Sequence, residues 1–367
     1  MTTDERFNLI TRNLEETLTE EELKKLLDSG ETIRHYIGLE ISGKAHVGWV
    51  FMMKKIKDLQ DAGVECQILL ADWHTWLNKK LDGNLETAKR LGRDYFEEAL
   101  KAAAISAGAD PGKIKFILGS ELYEELGPDY WASVIKVMKA TTLARMLRST
   151  TIMGRKESEV SDTAMLVYPA MQSADIFALK VNLAHAGTDQ RNVHIVARDA
   201  AAALGKEKPV AIHHHLLQGL LQPVLTTDSE TGKQVMDMEA AKMSKSKPNS
   251  AVFIHDDAET IKKKINSAYA PEGIVEFNPI LDWCKNLIFY NGTETLTITR
   301  PEKWGGDMQF SKYEDLEKSY ASKELHPMDL KVAVADWLID TLEPAKKYFE
   351  YPKRKAALEE IENLTSK

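Results

Sequence analysis

Cysteine is nearly missing from this sequence. Cys66 and Cys284 are the only two in 367 residues, too few for a disulfide framework or a cysteine-rich zinc site. Long apolar runs are missing as well: no window approaches the ~18 consecutive apolar residues of a membrane helix. The opening Met1-Thr2-Thr3-Asp4-Glu5 has neither the basic start nor the apolar stretch of a signal peptide. A cytoplasmic protein without membrane contact is the expectation. Basic charge is in deficit, with 48 Lys and Arg against 56 Asp and Glu and a net charge of −8. That excludes a protein that coats nucleic acid indiscriminately, and leaves open one that touches RNA through local basic patches. Internal repeats and low-complexity tracts are also missing. What is present is an ordinary globular balance, 43% hydrophobic and 28% charged, in a chain long enough for a larger and a smaller domain.

The first ~30 residues read as helix, ending in a segment where Thr19 and Glu22 have capping-box spacing, Leu23, Leu26 and Leu27 form an apolar face, and Gly30 closes the turn. Strands follow at 32–39, 64–70 and 114–118, separated by helical stretches at 49–62 and 86–104. Such alternation predicts an α/β fold, a Rossmann-like doubly wound parallel sheet with helices on both faces. Ligands in these folds sit beyond the carboxyl ends of the strands, where Gly38-Leu39-Glu40, Asp72-Trp73-His74 and Ser120-Glu121 fall. Beyond residue 140 the pattern turns helical. A boundary near 250 divides a catalytic domain, 1–250, from a smaller, mainly helical C-terminal domain, 251–367, with one strand-like piece at 295–299. His213-His214-His215 is a poor metal site, because adjacent side chains diverge and no carboxylate stands at ligand spacing.

Lys242-Met243-Ser244-Lys245-Ser246 carries the sharpest chemical signal. Two lysines at i and i+3 in a short loop, with small hydroxyl residues between them, can wrap a polyphosphate and offset charge on a departing pyrophosphate. Far upstream, His46-Val47-Gly48-Trp49 stands where the first of these strands passes into its helix. A His there can donate to phosphate oxygens, and Gly48 lets a nucleotide approach the backbone closely. Tyr168, Gln172 and Asp175 fall at i, i+4 and i+7, one face of a helix that looks buried. An acid in such a place needs a partner, because unpaired burial costs several kcal/mol.

In this order, on an alternating α/β domain, His46-Val47-Gly48 and Lys242–Ser246 resemble the His-Ile-Gly-His and Lys-Met-Ser-Lys-Ser signatures of class I aminoacyl-tRNA synthetases, with Trp49 in place of the second His. Tyr168-Pro169 through Asp175, and Gly187-Thr188-Asp189-Gln190-Arg191, are similar to motifs of the archaeal and eukaryotic tyrosyl-tRNA synthetases. The likeness extends through Tyr36–Glu40, Leu69–His74, Arg300–Lys303, Gly305-Gly306-Asp307 and Glu324–Leu330. The resemblance implies ATP-dependent activation of L-tyrosine to tyrosyl-adenylate and transfer to tRNA(Tyr), with Mg²⁺ carried on ATP and no metal held by the protein. Catalytic roles then fall to His46, Gly48, Lys242 and Lys245, and the rest of the ATP loop to Met243, Ser244 and Ser246. Tyr36 and Asp175 would bind the substrate phenol, Tyr168, Gln172 and Gln190 its amino group with Glu40 close by, and His74 and Leu69 would line the ring pocket. Trp304 and Asp329 would read the anticodon. The basic stretch Arg145, Arg148, Arg155 and Lys156 could meet acceptor-stem phosphates, and a homodimer through residues around 120–160 is expected.

Three other readings compete. A tryptophanyl-tRNA synthetase shares the fold and signatures, and Tyr36 with Asp175 speaks for tyrosine instead. A non-catalytic tRNA-binding paralogue would bind tRNA without forming any adenylate, and Trp49 would mark its decay. A nucleotidyltransferase without tRNA is disfavoured by Trp304, Asp329 and the extra domain.

Overall fold

The computed structural model describes residues 1–154, 157–227, 232, 234–237, 243 and 247–365. Strands β1 (Leu14–Leu18), β2 (Arg34–Leu39), β3 (Glu65–Leu70), β4 (Ile114–Leu118), β5 (Leu183–Gly187) and β6 (Val210–His214) form one sheet in the order β1-β6-β5-β2-β3-β4. Every neighbouring pair is parallel except β1 on β6. This is the Rossmann-like arrangement that the alternation predicts. From β2 the chain steps outward to β3 and β4, then returns to the other side of β2 for β5 and β6. Such a reversal between neighbours opens a crevice at the carboxyl ends of the strands.

Side chains alternate across the sheet, as the period of an extended strand requires. Ile37, Ile68 and Leu70 join the core shared with helix Val47–Asp61. Tyr36 and Leu69 point the other way, into the cluster made with helices Pro128–Ala140, Val167–Ala178 and Arg191–Ala200. One residue of register therefore decides that Tyr36 meets the helix carrying Asp175.

The amino-terminal stretch differs from the expected helix. It is a helix, Thr3–Thr11, then β1, then a second helix, Glu20–Asp28. The capping box at the second helix forms: Glu22 N donates to Thr19 Oγ1 at 3.2 Å and Thr19 N to Glu22 Oε2 at 3.1 Å. Leu14-Glu15-Glu16-Thr17-Leu18 is rich in helix-favouring Leu and Glu, and only pairing with distant β6 makes it a strand.

Beyond residue 250 the chain is mainly helical: Ala258–Ser267, Pro279–Trp283, Tyr313–Ala321, Pro327–Tyr348 and Pro352–Thr365, with a small ribbon of Leu296–Ile298 against Met308–Phe310. Residues 251–254 run beside the loop that follows β2, where Val47 N donates to Val252 O at 2.9 Å and Ile254 N to Ala45 O at 3.1 Å. Among the described residues no helix is long and apolar enough to cross a membrane.

Candidate active site

A cavity of about 720 Å³ opens beyond the carboxyl ends of β2 and β5, at the crevice set by the strand order. Tyr36, Glu40, His46, Gly48, His74, Tyr168, Gln172, Asp175, Gln190 and Met243 all line it. Leu69 stands apart from that lining, fully buried beside Tyr36 in the apolar cluster behind it. Lys242, Ser244, Lys245 and Ser246 lie outside the described residues.

At the deep end Asp175 is 0% exposed. Its Oδ1 accepts from the Tyr130 hydroxyl at 2.8 Å. Its Oδ2 has no hydrogen bond and lies 3.7 Å from His74 Nε2, whose ring nitrogens are also unbonded. Burial pushes the Asp175 carboxyl up to about 7, against the pull of the tyrosine hydroxyls around it. The same burial holds His74 down at about 3, so that its ring is neutral. Leaving a buried polar group unpaired costs ~1–3 kcal/mol, a cost that an incoming hydroxyl would relieve. Beneath this end, a Cβ on Gly38 would stand 2.6 Å from the Tyr36 hydroxyl, so only glycine leaves that hydroxyl its place.

Oxygen acceptors gather in the middle of the cavity. Glu40, just past β2, accepts from Tyr168 Oη at 3.2 Å and from Asn78 Nδ2. Asn78 also donates to Met153 O at 3.0 Å. Gln172 Nε2 donates to Gln190 Oε1 at 3.1 Å, and Gln190 Nε2 to Ile152 O at 2.9 Å. A carboxylate and amide oxygens held in this way suit an ammonium group. Other polar strand ends do structural work: Asp72 accepts from the backbone N of Trp73 at 2.8 Å and of Ser120 at 3.0 Å, tying β3 to β4. Glu121 pairs with Arg93.

At the mouth, His46 is the N-cap of helix Val47–Asp61, with Nδ1 accepting from Gly48 N at 3.2 Å. In the neutral ring that bond leaves the proton on Nε2. A Cβ on Gly48 would lie 2.9 Å from both the His46 ring and Met243 Cε, so the two signature segments close on each other here. Trp49 lines the cavity and packs edge-on against Phe96 at 4.5 Å. Lys44 pairs with Glu362 at 2.9 Å, and Leu364, from the same terminal helix, reaches the cavity rim.

The three adjacent histidines are spent on neighbours. His213 meets Glu16 and His194, each at 3.0 Å; His214 meets His185 at 2.8 Å; His215 meets Glu15 at 2.9 Å and Asp282 at 2.7 Å. Among the described residues no three His, Cys, Asp or Glu side chains are grouped to hold a metal ion. Trp304, which is not among the residues lining the cavity, is 66% exposed. Arg300 ties its loop to the turn before Asp329, donating to Gly306 O at 2.9 Å and Glu324 O at 3.0 Å. Asp329 is half-buried in the first turn of helix Pro327–Tyr348. On the basic helix Leu143–Ser149, Arg145 is paired with Asp199 at 2.7 Å, and Arg155 and Lys156 lie outside the described residues.

Sequence reasoning missed Asn78 and Tyr130. Asn78 had a signal, four residues after His74 and thus above it on the helix face. Tyr130 had none, since only the packing of Pro128–Ala140 against Val167–Ala178 brings it to Asp175.

Comparison with known proteins places the chain in a family. The family described as tRNA synthetases class I (W and Y) matches residues 28–343. A tyrosine–tRNA ligase of Thermococcus kodakarensis is 49% identical over 348 residues, 92% of each chain. That of Thermococcus sibiricus is 46% identical over 362 residues, 95% of this chain and 96% of the relative. Among solved structures, the tyrosyl-tRNA synthetase of Pyrococcus horikoshii complexed with L-tyrosine superimposes with a TM-score of 0.91 at 42% identity, covering 98% of this chain and 100% of that one. The Aeropyrum pernix tyrosyl-tRNA synthetase gives 0.84 at 40% identity, covering 98% and 99%.

Proposed function

The chain belongs to the class I aminoacyl-tRNA synthetases, among the tyrosine–tRNA ligases, and from that premise we propose how its residues divide the reaction. Tyr36 and Asp175 bind the phenol, with His74 beside the ring and Leu69 backing it. Tyr168, Gln172 and Gln190, with Glu40, hold the α-amino group. The observation that carries this assignment is the unbonded Asp175 Oδ2 at the closed end of the cavity, an acceptor placed for a hydroxyl and useless to a phenyl ring.

The tyrosine carboxylate then faces the mouth. It attacks the α-phosphate of ATP in line, pyrophosphate leaves, and the terminal ribose hydroxyl of tRNA(Tyr) later takes the acyl group. His46, with Gly48 giving access, and Lys242 and Lys245 offset the charge that develops, with Met243, Ser244 and Ser246 completing their loop; positioning and electrostatics supply the catalysis. Mg²⁺ comes to the site on the triphosphate, in keeping with its preference for phosphate oxygens and retained waters. Residues 1–250 form the catalytic domain and 251–367 the anticodon-binding one, where Trp304 stacks on a base and Asp329 accepts from a base edge. Exposed Ile135 and Leu143 support a homodimer through the surface around residues 120–160, and the cytoplasm is the compartment proposed with it.

Pyrophosphate–ATP exchange with tyrosine, tryptophan and phenylalanine compared side by side tests the assignment. Exchange with tyrosine alone is expected; stimulation by tryptophan, or by none of the three, would overturn it.

A further inference from the structure

Among the described residues the Tyr130 hydroxyl alone makes a hydrogen bond to Asp175, on Oδ1, and leaves Oδ2 for the ligand; the Tyr123 hydroxyl, close by without such a bond, also favours the charged carboxyl. Tyr130 is itself 1% exposed. Its ring stacks on Tyr123 with centroids 4.1 Å apart and planes at 20°, and meets Trp131 edge-on at 5.3 Å. A ring clamped on two sides cannot swing its hydroxyl away, so the carboxylate it binds is fixed in rotation too. We infer that Tyr130 is a positioning residue for tyrosine selection: by holding Asp175 Oδ1 it aims Oδ2 at the substrate hydroxyl and keeps the carboxyl ready to accept. The inference rests on the reading of Asp175 as the phenol acceptor given above.

The surroundings of Asp175 make this hydrogen bond count. Tyr168 lies on its own helix, Asp72 and His74 on helix Asp72–Leu77, Tyr123 and Tyr130 on the two helices that follow β4, and Tyr36 on β2. None of these brings a positive charge, since His74 is neutral, and the Asp72 charge works against ionisation. Hydroxyl donors are therefore what favours the carboxylate over the acid. A ligand that prefers the carboxylate binds more tightly as pH rises through the carboxyl's pKa, here about 7, and more weakly below it. Removing the Tyr130 hydroxyl withdraws a donor from the charged form, so this dependence moves to higher pH.

The test is Tyr130→Phe, which keeps the clamped ring, beside Asp175→Asn. For Tyr130→Phe we expect the KM for tyrosine to rise about tenfold, as for the loss of one hydrogen bond to a charged group. kcat should stay within about twofold, ATP affinity should be unchanged, and the preference for tyrosine over phenylalanine should fall by about the same tenfold. The pH midpoint for tyrosine binding should move upward. If Asp175→Asn loses discrimination while Tyr130→Phe keeps both the tyrosine KM and the pH midpoint, Tyr130 is a core tyrosine and the inference fails alone. If Asp175→Asn also leaves tyrosine binding intact, the reading of Asp175 fails with it. A Tyr130→Phe protein that loses ATP affinity along with tyrosine affinity has a general packing defect, which also overturns the inference.

Discussion

The two ends of the cavity handle polar groups in opposite ways. At the deep end Asp175 Oδ2 and both His74 nitrogens are buried without hydrogen bonds, and the groups around them are locked by helix packing. At the mouth the protein's polar groups bond to each other: His46 to Gly48 N, Lys44 to Glu362. An end that pays a standing cost in unmet hydrogen bonds gains most from the one ligand that meets them, so it can select. An end whose charges are already partnered near solvent can release and exchange them as a triphosphate enters and pyrophosphate leaves. On the proposed division of roles, selection and charge handling are separated along one cavity.

The largest expected effect falls on the proposed charge handling alone. Lys245→Ala should slow tyrosine-dependent pyrophosphate–ATP exchange by about 10²–10³-fold, the scale for losing one group that stabilises a transition-state charge, while equilibrium binding of tyrosine is unchanged. A large loss of tyrosine affinity would show that the two ends are coupled. Next comes a change outside both. Trp304→Ala should raise the KM for tRNA about 5–150-fold, from ~1–3 kcal/mol of base stacking, and leave amino-acid activation untouched.

Trp49→His asks whether the missing second signature His matters. The indole packs on Phe96 and is 8% exposed, so the substitution should cost about 1–3 kcal/mol in denaturant unfolding and change exchange by less than tenfold. A larger rate gain would mean that the mouth lacks a donor in this chain. The smallest effect is expected from Glu362→Gln. A part-exposed ion pair is worth ~0–1 kcal/mol, so the KM for ATP should shift less than about fivefold, and tyrosine binding not at all.

The sequence displayed the parts of this molecule whose logic is local. Strands β2, β3 and β4 lie within two residues of their expected bounds because buried parallel strands are short apolar runs, and the face shared by Tyr168, Gln172 and Asp175 followed from helical periodicity. What was hidden depends on distant partners. β1 looks helical until β6 pairs with it. Tyr130 looks like any core aromatic until the helix beneath it presents a carboxylate. The partnering of Lys44 by Glu362 joins positions far apart in the chain, and no local pattern marks it.

The pairing of β1 has a consequence in time. Leu14 takes its place opposite His214, about 200 residues downstream. A contact so distant closes a large loop, and such contacts form late because their entropy must be met before they bring any gain. Until then the free edge of β6 offers unpaired backbone groups to any other strand. The five parallel strands and the crevice between β2 and β5 can assemble first, and β1 then seals the sheet as its last step. Deuterium exchange on refolding should find the amides of β2 and β3 protected before those of β1.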